Sequence, residues 1–539
     1  MKNETFTIMR SINSICLVVL MILAITGTAK TKHGKPPTWS EEVACIIYTH
    51  CTPCHRDGGV APFSISSYEE AFNERFSIRY SVSTGSMPPW PVNNDFNPLA
   101  HARNLNEWEK DRIIDWVNEG ALRGDPSLEP ALPQFADQGE IDEPNVLELS
   151  MEEYTNTLST DNYRCFVIDP RNNKDWYIKA WEVLPGNVEM VHHVLIFSDT
   201  ARQRIAQLDA ADPGPGYASF GSTRSSSSML IGGWTPGAKA TRYPEGMAAL
   251  VPAGGLIIMQ VHYAPETKGQ KDATSFRFLA TEQPQRPVAY APLLEHGRTM
   301  VNGPLFIPAN TEKTFWSTMT SPIKGTLISV FPHMHLLGKS IKVWGIEPNN
   351  QDTIPIIDIP QWDFHWQGDY MFQKPIVIEA GTQLWVEATY DNTINNPENP
   401  NRPPKDVRLG EGTADEMLLV YFGFLVPSLP GDASVIIDTS SVTNYVKGCE
   451  GLLSIDEAFG IKQNDISIYP NPGTEMLHFT QPAHLPVAHV EIIDMWGRST
   501  LYSSQISHQL DVSDLKPGLY TIRFWGEKNL LREKRWIKL

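Results

Sequence analysis

Six potential metal ligands lie along the middle of this chain in a fixed order: His192 and His193 side by side, His262 inside an apolar run, His333 and His335 flanking Met334, and Met417. They sort into two coordination sets. Three imidazoles suit a copper that cycles between oxidation states, whereas two imidazoles with a thioether suit a softer copper that favours Cu(I) and can keep a position open. Upstream, Cys51-Thr-Pro-Cys54-His55 has the spacing for a covalently attached c-type haem, two thiols for the vinyl groups and an adjacent imidazole for the iron. A disulfide or half of a zinc site would use the same cysteines, but zinc needs a second ligand pair and none follows nearby. Two copper ions and one haem make one-electron chemistry the expectation, and an oxidoreductase the class.

Such ligands need elements to aim them. His333 and His335 are two apart, so on a strand both side chains leave one face and can chelate one metal. His192 and His193 would point to opposite faces of a regular strand. They can meet at one metal only at a strand end, at a bulge or through different ring nitrogens. His262 must then come from a neighbouring strand. Met417 directly precedes the apolar run Leu418-Leu-Val-Tyr-Phe422. Singly, a His such as His262 or a Met such as Met417 is more often core packing; the combination carries the reading. His365, set among aromatics in Trp362-Asp-Phe-His-Trp-Gln367 with no partner at useful spacing, reads as structural.

Around Cys51 and Cys54 the pattern is helical. Ser40 is expected to cap a helix carrying Val43, Ile46 and Ile47 on one face, and Asn106 with Glu109 forms a capping box for a later helix with Ile113, Trp116 and Val117. Met87, in Ser86-Met-Pro-Pro-Trp90, is placed to be the second axial ligand. From about residue 144 the pattern turns β-rich, as in Val194-Leu-Ile-Phe197 and Leu256-Ile-Ile-Met-Gln-Val261, and 42 Pro and 37 Gly supply the turns between short strands.

Residues 1–29 read as a secretory signal, with Lys2 and Arg10 before an apolar stretch and Gly27 and Ala29 as small residues at a cleavage site. The apolar stretch is too short to span a bilayer, so no transmembrane segment is expected in the mature chain. A net charge of −18 argues against nucleic acid or anionic membrane as partner. Export permits disulfides, and with Cys51 and Cys54 on haem the expected pair is Cys165 with Cys449, leaving Cys45 as a free thiol. From 463 to 539 short alternating strands with Pro-Gly turns point to a small β-sandwich, in which His478, His484, His489 and His508 have no ligand-like spacing.

Residues 30–127 resemble a class I cytochrome c domain on the Cys51–His55 motif, the helix before it and Met87. The stretches Tyr163-Arg-Cys165, Val191-His-His-Val194, Gln260-Val-His-Tyr263, His333-Met-His-Leu-Leu-Gly-Lys339 and Thr413-Ala-Asp-Glu-Met417 resemble the copper type II, ascorbate-dependent monooxygenases. Tyr469-Pro-Asn-Pro472 and Leu515-Lys-Pro-Gly-Leu-Tyr520 with the Lys-containing end resemble a type A sorting domain of type IX secretion. The resemblances imply a multidomain fold: a small all-α domain (30–127), a linker (128–143), two all-β jelly-roll-like sandwiches (144–285 and 286–448) facing across a cleft, and a sorting domain (463–539). They imply that His192, His193 and His262 hold an electron-storing copper and that His333, His335 and Met417 hold the copper at which an activated C–H of a small organic substrate is hydroxylated with O2. The electron donor would be ascorbate-like or a redox protein, the fused haem would feed the His192/His193/His262 copper, and the type IX machinery would deliver the chain outside the cell or to its surface.

The sequence also departs from the peptide-amidating members. Phe331 stands where they place a substrate-binding Arg, and Leu419 where they place an Asn, while Tyr421 is retained. Leu418 replaces a Cys, and most of the family's disulfides have no cysteines here. A glycine-extended peptide is therefore not the expected substrate. The rival reading is a haem/copper electron-transfer or copper-binding protein without hydroxylase activity.

Overall fold

The computed structural model describes residues 35–435 except 136–138, 220, 350 and 351, then Ile437, Cys449 and the strands of 467–538 with some of their connections. The expected export signal (1–29), residues 470–472, His484 and His508 fall outside the described residues, as does the side chain of His478. Among the described residues the chain is mostly β-sheet, with its helices gathered before residue 119 apart from Arg202–Ala210 and short turns at Pro126–Leu128 and Asp432–Ser434.

The first helix begins earlier than its sequence suggests. A wide turn over Trp39–Val43 runs directly into Ala44–His50, and Thr38, not Ser40, stands at its start. Ser40 is instead buried, because Trp39 and Ser40 donate their N–H groups to Leu122 and Arg123 carbonyls and this fixes the entry. The later helix, Glu107–Asn118, has the expected box: Asn106 accepts from Glu109 N, and the Glu109 carboxylate accepts from Asn106 N. Trp39 and Trp116, both fully buried, pack with ring centroids 5.9 Å apart at the centre of this unit.

The β-rich part is two layered units that share one sheet. Nine strands run continuously from Tyr370–Ile378 through Gly325–His333, Leu419–Leu425, Ala289–Glu295, Met229–Trp234, Val191–Asp199 and Leu256–Tyr263 to Asn162–Ile168 and Tyr217–Ala218. The join between the halves is the pairing of Tyr290 with Leu230. One half is covered by a six-stranded sheet and the other by a four-stranded sheet, each over its own apolar core. Phe276 and Phe278 stack at 4.9 Å in the first core, and Phe315 and Phe422 are fully buried in the second. Burial of each such ring contributes roughly 1.5–3 kcal/mol.

The helical unit is sewn to the second β unit. Asn93 donates to Asp358, Asn97 Nδ2 donates to the Ile356 carbonyl (3.0 Å), Leu99 bridges to Phe372, and Val92 and Leu99 join the second unit's core. A disulfide joins Cys45 to Cys449, whereas Cys165 is a buried free thiol. This corrects the expected Cys165–Cys449 pairing. Cys165 is walled in by its own strand neighbours, with Gln260 Nε2 3.7 Å away, while the chain after the second unit returns to the helices where Cys45 lies. No described helix is long and apolar enough to cross a membrane. The last seven strands form two small sheets over a core of their own, in which His489 is a packed residue, stacked on Trp525 at 5.7 Å.

Candidate metal centre

The adjacent histidines meet through a bulge. His262 pairs with His193, but the next residue, Tyr263, pairs with Val191, so His192 has no partner and turns to the same side as His193. The Nδ1 atoms of His192 and His193 come within 3.3 Å, and those of His193 and His262 within 3.4 Å. Among the described residues these three histidines have ligand atoms all within 4.8 Å of one another.

Hydrogen bonding selects which nitrogen each ring offers. His262 donates its Nε2–H to Asp161 Oδ1 at 2.8 Å, which leaves Nδ1 bare toward His193. Burial pushes Asp161 upward, yet the bonds from His262 and from Thr413 Oγ1 (3.0 Å) outweigh it and its carboxyl sits below the usual range. Asp161 thus ties the three-histidine set to the loop that carries Met417.

The second set lies at the end of the strand Gly325–His333. His333 and His335 face the cleft while Met334 between them is fully buried, the alternation of an extended chain. His333 Nδ1–H donates to Gln367 Oε1 at 2.5 Å, and His335 Nδ1–H donates to the Asp415 carbonyl at 3.1 Å, so both rings present a bare Nε2. The amide of Gln367 is itself fixed, since Nε2 donates to the Phe364 carbonyl. Met417 lines the same cleft. Glu416, fully buried beside it, accepts backbone N–H bonds from His335 (3.0 Å), Leu337 (2.7 Å) and Met417 (3.2 Å), pinning the two ligand segments together.

Burial holds four of these imidazoles neutral. It pushes His192 down to about 4 and His333 down to about 3, with neighbouring histidines adding to the effect, and lowers His193 and His335 as well. A neutral ring at physiological pH is the form that ligates a metal. Two donor sets on one cleft, with the second nitrogen anchored at His262, His333 and His335, therefore fit resident metal ions: three ring nitrogens at one, two ring nitrogens with a thioether sulfur at the other.

A single cleft of about 270 Å³ is lined by residues of both sets. Phe364 lies between them, its ring 5.3 Å from His192 and 6.0 Å from His335. Phe331 and Tyr421 face each other at 6.2 Å, and Leu419 also lines the wall. His365 lines it too, three-fifths exposed and 3.5 Å from Glu398, outside either set.

The Cys51 and Cys54 thiols are free, and His55 Nδ1–H donates to the Phe63 carbonyl at 3.1 Å, leaving Nε2 bare. Val60 and Phe63 beside the motif stay exposed to water, an apolar surface suited to a porphyrin face. Met87 sits on the segment that leads to Trp90, which packs edge-on against Tyr370 at 5.4 Å.

Asp161, Gln367, Glu416 and Phe364 escape a reading from sequence. Each acts across a large sequence separation, as when Asp161 reaches His262, and no local spacing marks them. Glu416 alone carries a hint, a carboxylate set directly against an apolar run.

No curated protein matches the chain. Two solved structures of N-glycanase F are similar to it. One gives 12% identity and a TM-score of 0.23 over 52% of this chain and 96% of that one. The other, described as a glycosylasparaginase from Flavobacterium meningosepticum, gives 12% identity and a TM-score of 0.19 over 55% and 93%. Likeness this slight carries no argument. Residues 467–538 match the secretion system C-terminal sorting domain. Residues 298–433, which hold His333, His335 and Met417, match the copper type II ascorbate-dependent monooxygenase, C-terminal domain.

Proposed function

We propose that the chain is an exported copper-dependent monooxygenase that hydroxylates an activated C–H of a small organic molecule with O2. The observation that carries this is the pairing, across one cleft, of a three-histidine donor set with a histidine–histidine–methionine set inside the matched region. His192, His193 and His262 would hold one copper through Nδ1, and His333, His335 and Met417 a second through Nε2 and the thioether. Copper supplies the one-electron redox chemistry that O2 requires, and the softer thioether-containing set favours Cu(I). The residues around it do the rest. Asp161, Gln367 and the Asp415 carbonyl hold the rings in their tautomers, Glu416 fixes the spacing between His335 and Met417, and Phe331, Leu419 and Tyr421 form an apolar wall for substrate.

The described residues lining the cleft include Glu295 and Glu411 and no Lys or Arg. That favours a neutral or cationic substrate over a carboxylate. Cys51, Cys54 and His55 would hold a c-type haem, with Met87 as second axial ligand, as a one-electron store fused to the copper unit. The tail would direct passage through the type IX machinery to the exterior or cell surface.

The test is isotopic. With ascorbate and 18O2, a panel of neutral and cationic small molecules should yield a product carrying one 18O atom. Oxygen consumption with no labelled product from any of them would favour the electron-transfer reading. Within the three-histidine set, Asp161→Ala should weaken copper binding by about 10–100-fold, because His262 loses the acceptor that fixes its tautomer. Competition titration with a copper chelator reads this directly, and an unchanged affinity would contradict the assignment.

A further inference from the structure

We infer that Trp366 and Gln367 connect the haem-attachment motif to the His333/His335/Met417 set, so that electrons leaving the helical unit enter the cleft on that side and not at His192/His193/His262. The inference rests on the proposed metal assignments and adds a direction to them.

Two contacts converge on Trp366. Gly237, held at φ +78° where the backbone suits glycine, has no side chain, and a Cβ placed there would lie 3.5 Å from the Trp366 ring and 3.7 Å from Cys54 Sγ. The indole and the thiol of the haem motif therefore both border the bare backbone of Gly237. Arg103 clamps the spot by donating to the Gly237 carbonyl. The second contact starts from the Met87 side: Trp90 packs edge-on against Tyr370, whose hydroxyl donates to the Trp366 carbonyl at 3.4 Å. Both expected anchors of the haem lead to one residue.

Beyond Trp366 the path is short and bonded. One peptide link reaches Gln367, and Gln367 Oε1 accepts from His333 Nδ1 at 2.5 Å. Thr235 Oγ1 donates to the Gln367 carbonyl at 2.7 Å and holds this loop against the strand that ends beside Gly237. The other set is reached from this loop through Phe364, whose ring stacks on His192 without a hydrogen bond, or from Gly237 back along the chain to Trp234 and its strand partner Val194, a path with more links than the one to His333. Electron tunnelling weakens exponentially with distance and faster through space than along bonds, so the His333 route dominates. The helical unit is not free to present another face, since Asn93, Asn97 and Leu99 are bound into the second β unit. Each event moves one electron, with iron going from Fe(II) to Fe(III) as copper goes from Cu(II) to Cu(I), and no bond is made or broken.

The test uses the full chain loaded with haem and copper, free of oxygen and substrate. One electron is delivered by pulse radiolysis, and reoxidation of the haem absorption band is timed. The expected result is a fast phase that survives His192→Ala, disappears in His333→Ala, slows at least tenfold in Trp366→Leu with the haem spectrum unchanged, and recovers in Trp366→Phe. A Trp366→Leu rate within twofold of wild type, or a fast phase lost in His192→Ala and kept in His333→Ala, would overturn it. Copper content of the same samples separates the two claims: a chain without copper fails the proposed function, whereas a copper-loaded chain indifferent to Trp366 fails only this inference.

Discussion

Glu416→Ala should destabilise the second β unit by about 3–6 kcal/mol and abolish binding of the copper proposed there. The carboxylate is fully buried and accepts three N–H bonds, from His335, Leu337 and Met417. A buried donor left without a partner costs about 1–3 kcal/mol, and three are exposed to that loss at once, moderated by whatever water enters the cavity. The same three bonds hold the turn after His333 against the segment carrying Met417, so the geometry of the His333/His335/Met417 set loosens as the stability falls. Glu416→Gln sharpens the claim. Its single oxygen can keep the two donors that now share Oε2, His335 and Met417, while its NH2 opposes Leu337 N. It should cost about half as much and retain copper. Calorimetry and metal analysis of the two variants give the ordering, and equal effects of Ala and Gln would refute the role assigned to the three bonds.

His193→Ala should abolish binding of the copper proposed for the three-histidine set. His193 is the shared vertex of its set, with Nδ1 3.3 Å from that of His192 and 3.4 Å from that of His262. Taking away an outer-shell partner weakens a metal by about 10–100-fold, so losing the central ligand itself should exceed ~10²-fold. The His333/His335/Met417 set does not include this ring and should keep its metal. Copper then falls from two to one per chain, and labelled product disappears although the remaining site is intact. A His193→Ala chain that still bound two coppers would place the first metal elsewhere.

The candidate ligands could be picked out because coordination demands particular residue types at particular spacings, and those are local. The rule that adjacent histidines meet only at an irregularity holds at His192, whose strand partner is skipped between His262 and Tyr263. What could not be read depends on contacts closed by the fold. Gln367 is 34 residues from His333 and Asp161 is 101 from His262, and nothing near either residue marks the partner. The true disulfide escapes the sequence for the same reason. Cys45 and Cys449 are 404 residues apart, and their meeting depends on how the chain returns to the helices after the second β unit. The shared nine-stranded sheet is equally hidden, because its join is one residue pair, Tyr290 with Leu230. His365, read as structural from its aromatic surroundings, lines the wall of the cleft outside either donor set, a position that no local spacing marks.

The most direct measurement is the metal count of the mature chain, by elemental analysis and haem absorbance, in wild type and in His335→Ala. Two coppers and one haem in wild type, with one copper lost and 18O incorporation abolished in the variant, are the values this account predicts. A wild-type chain holding one copper or none, or a variant that keeps both and still forms product, would contradict it.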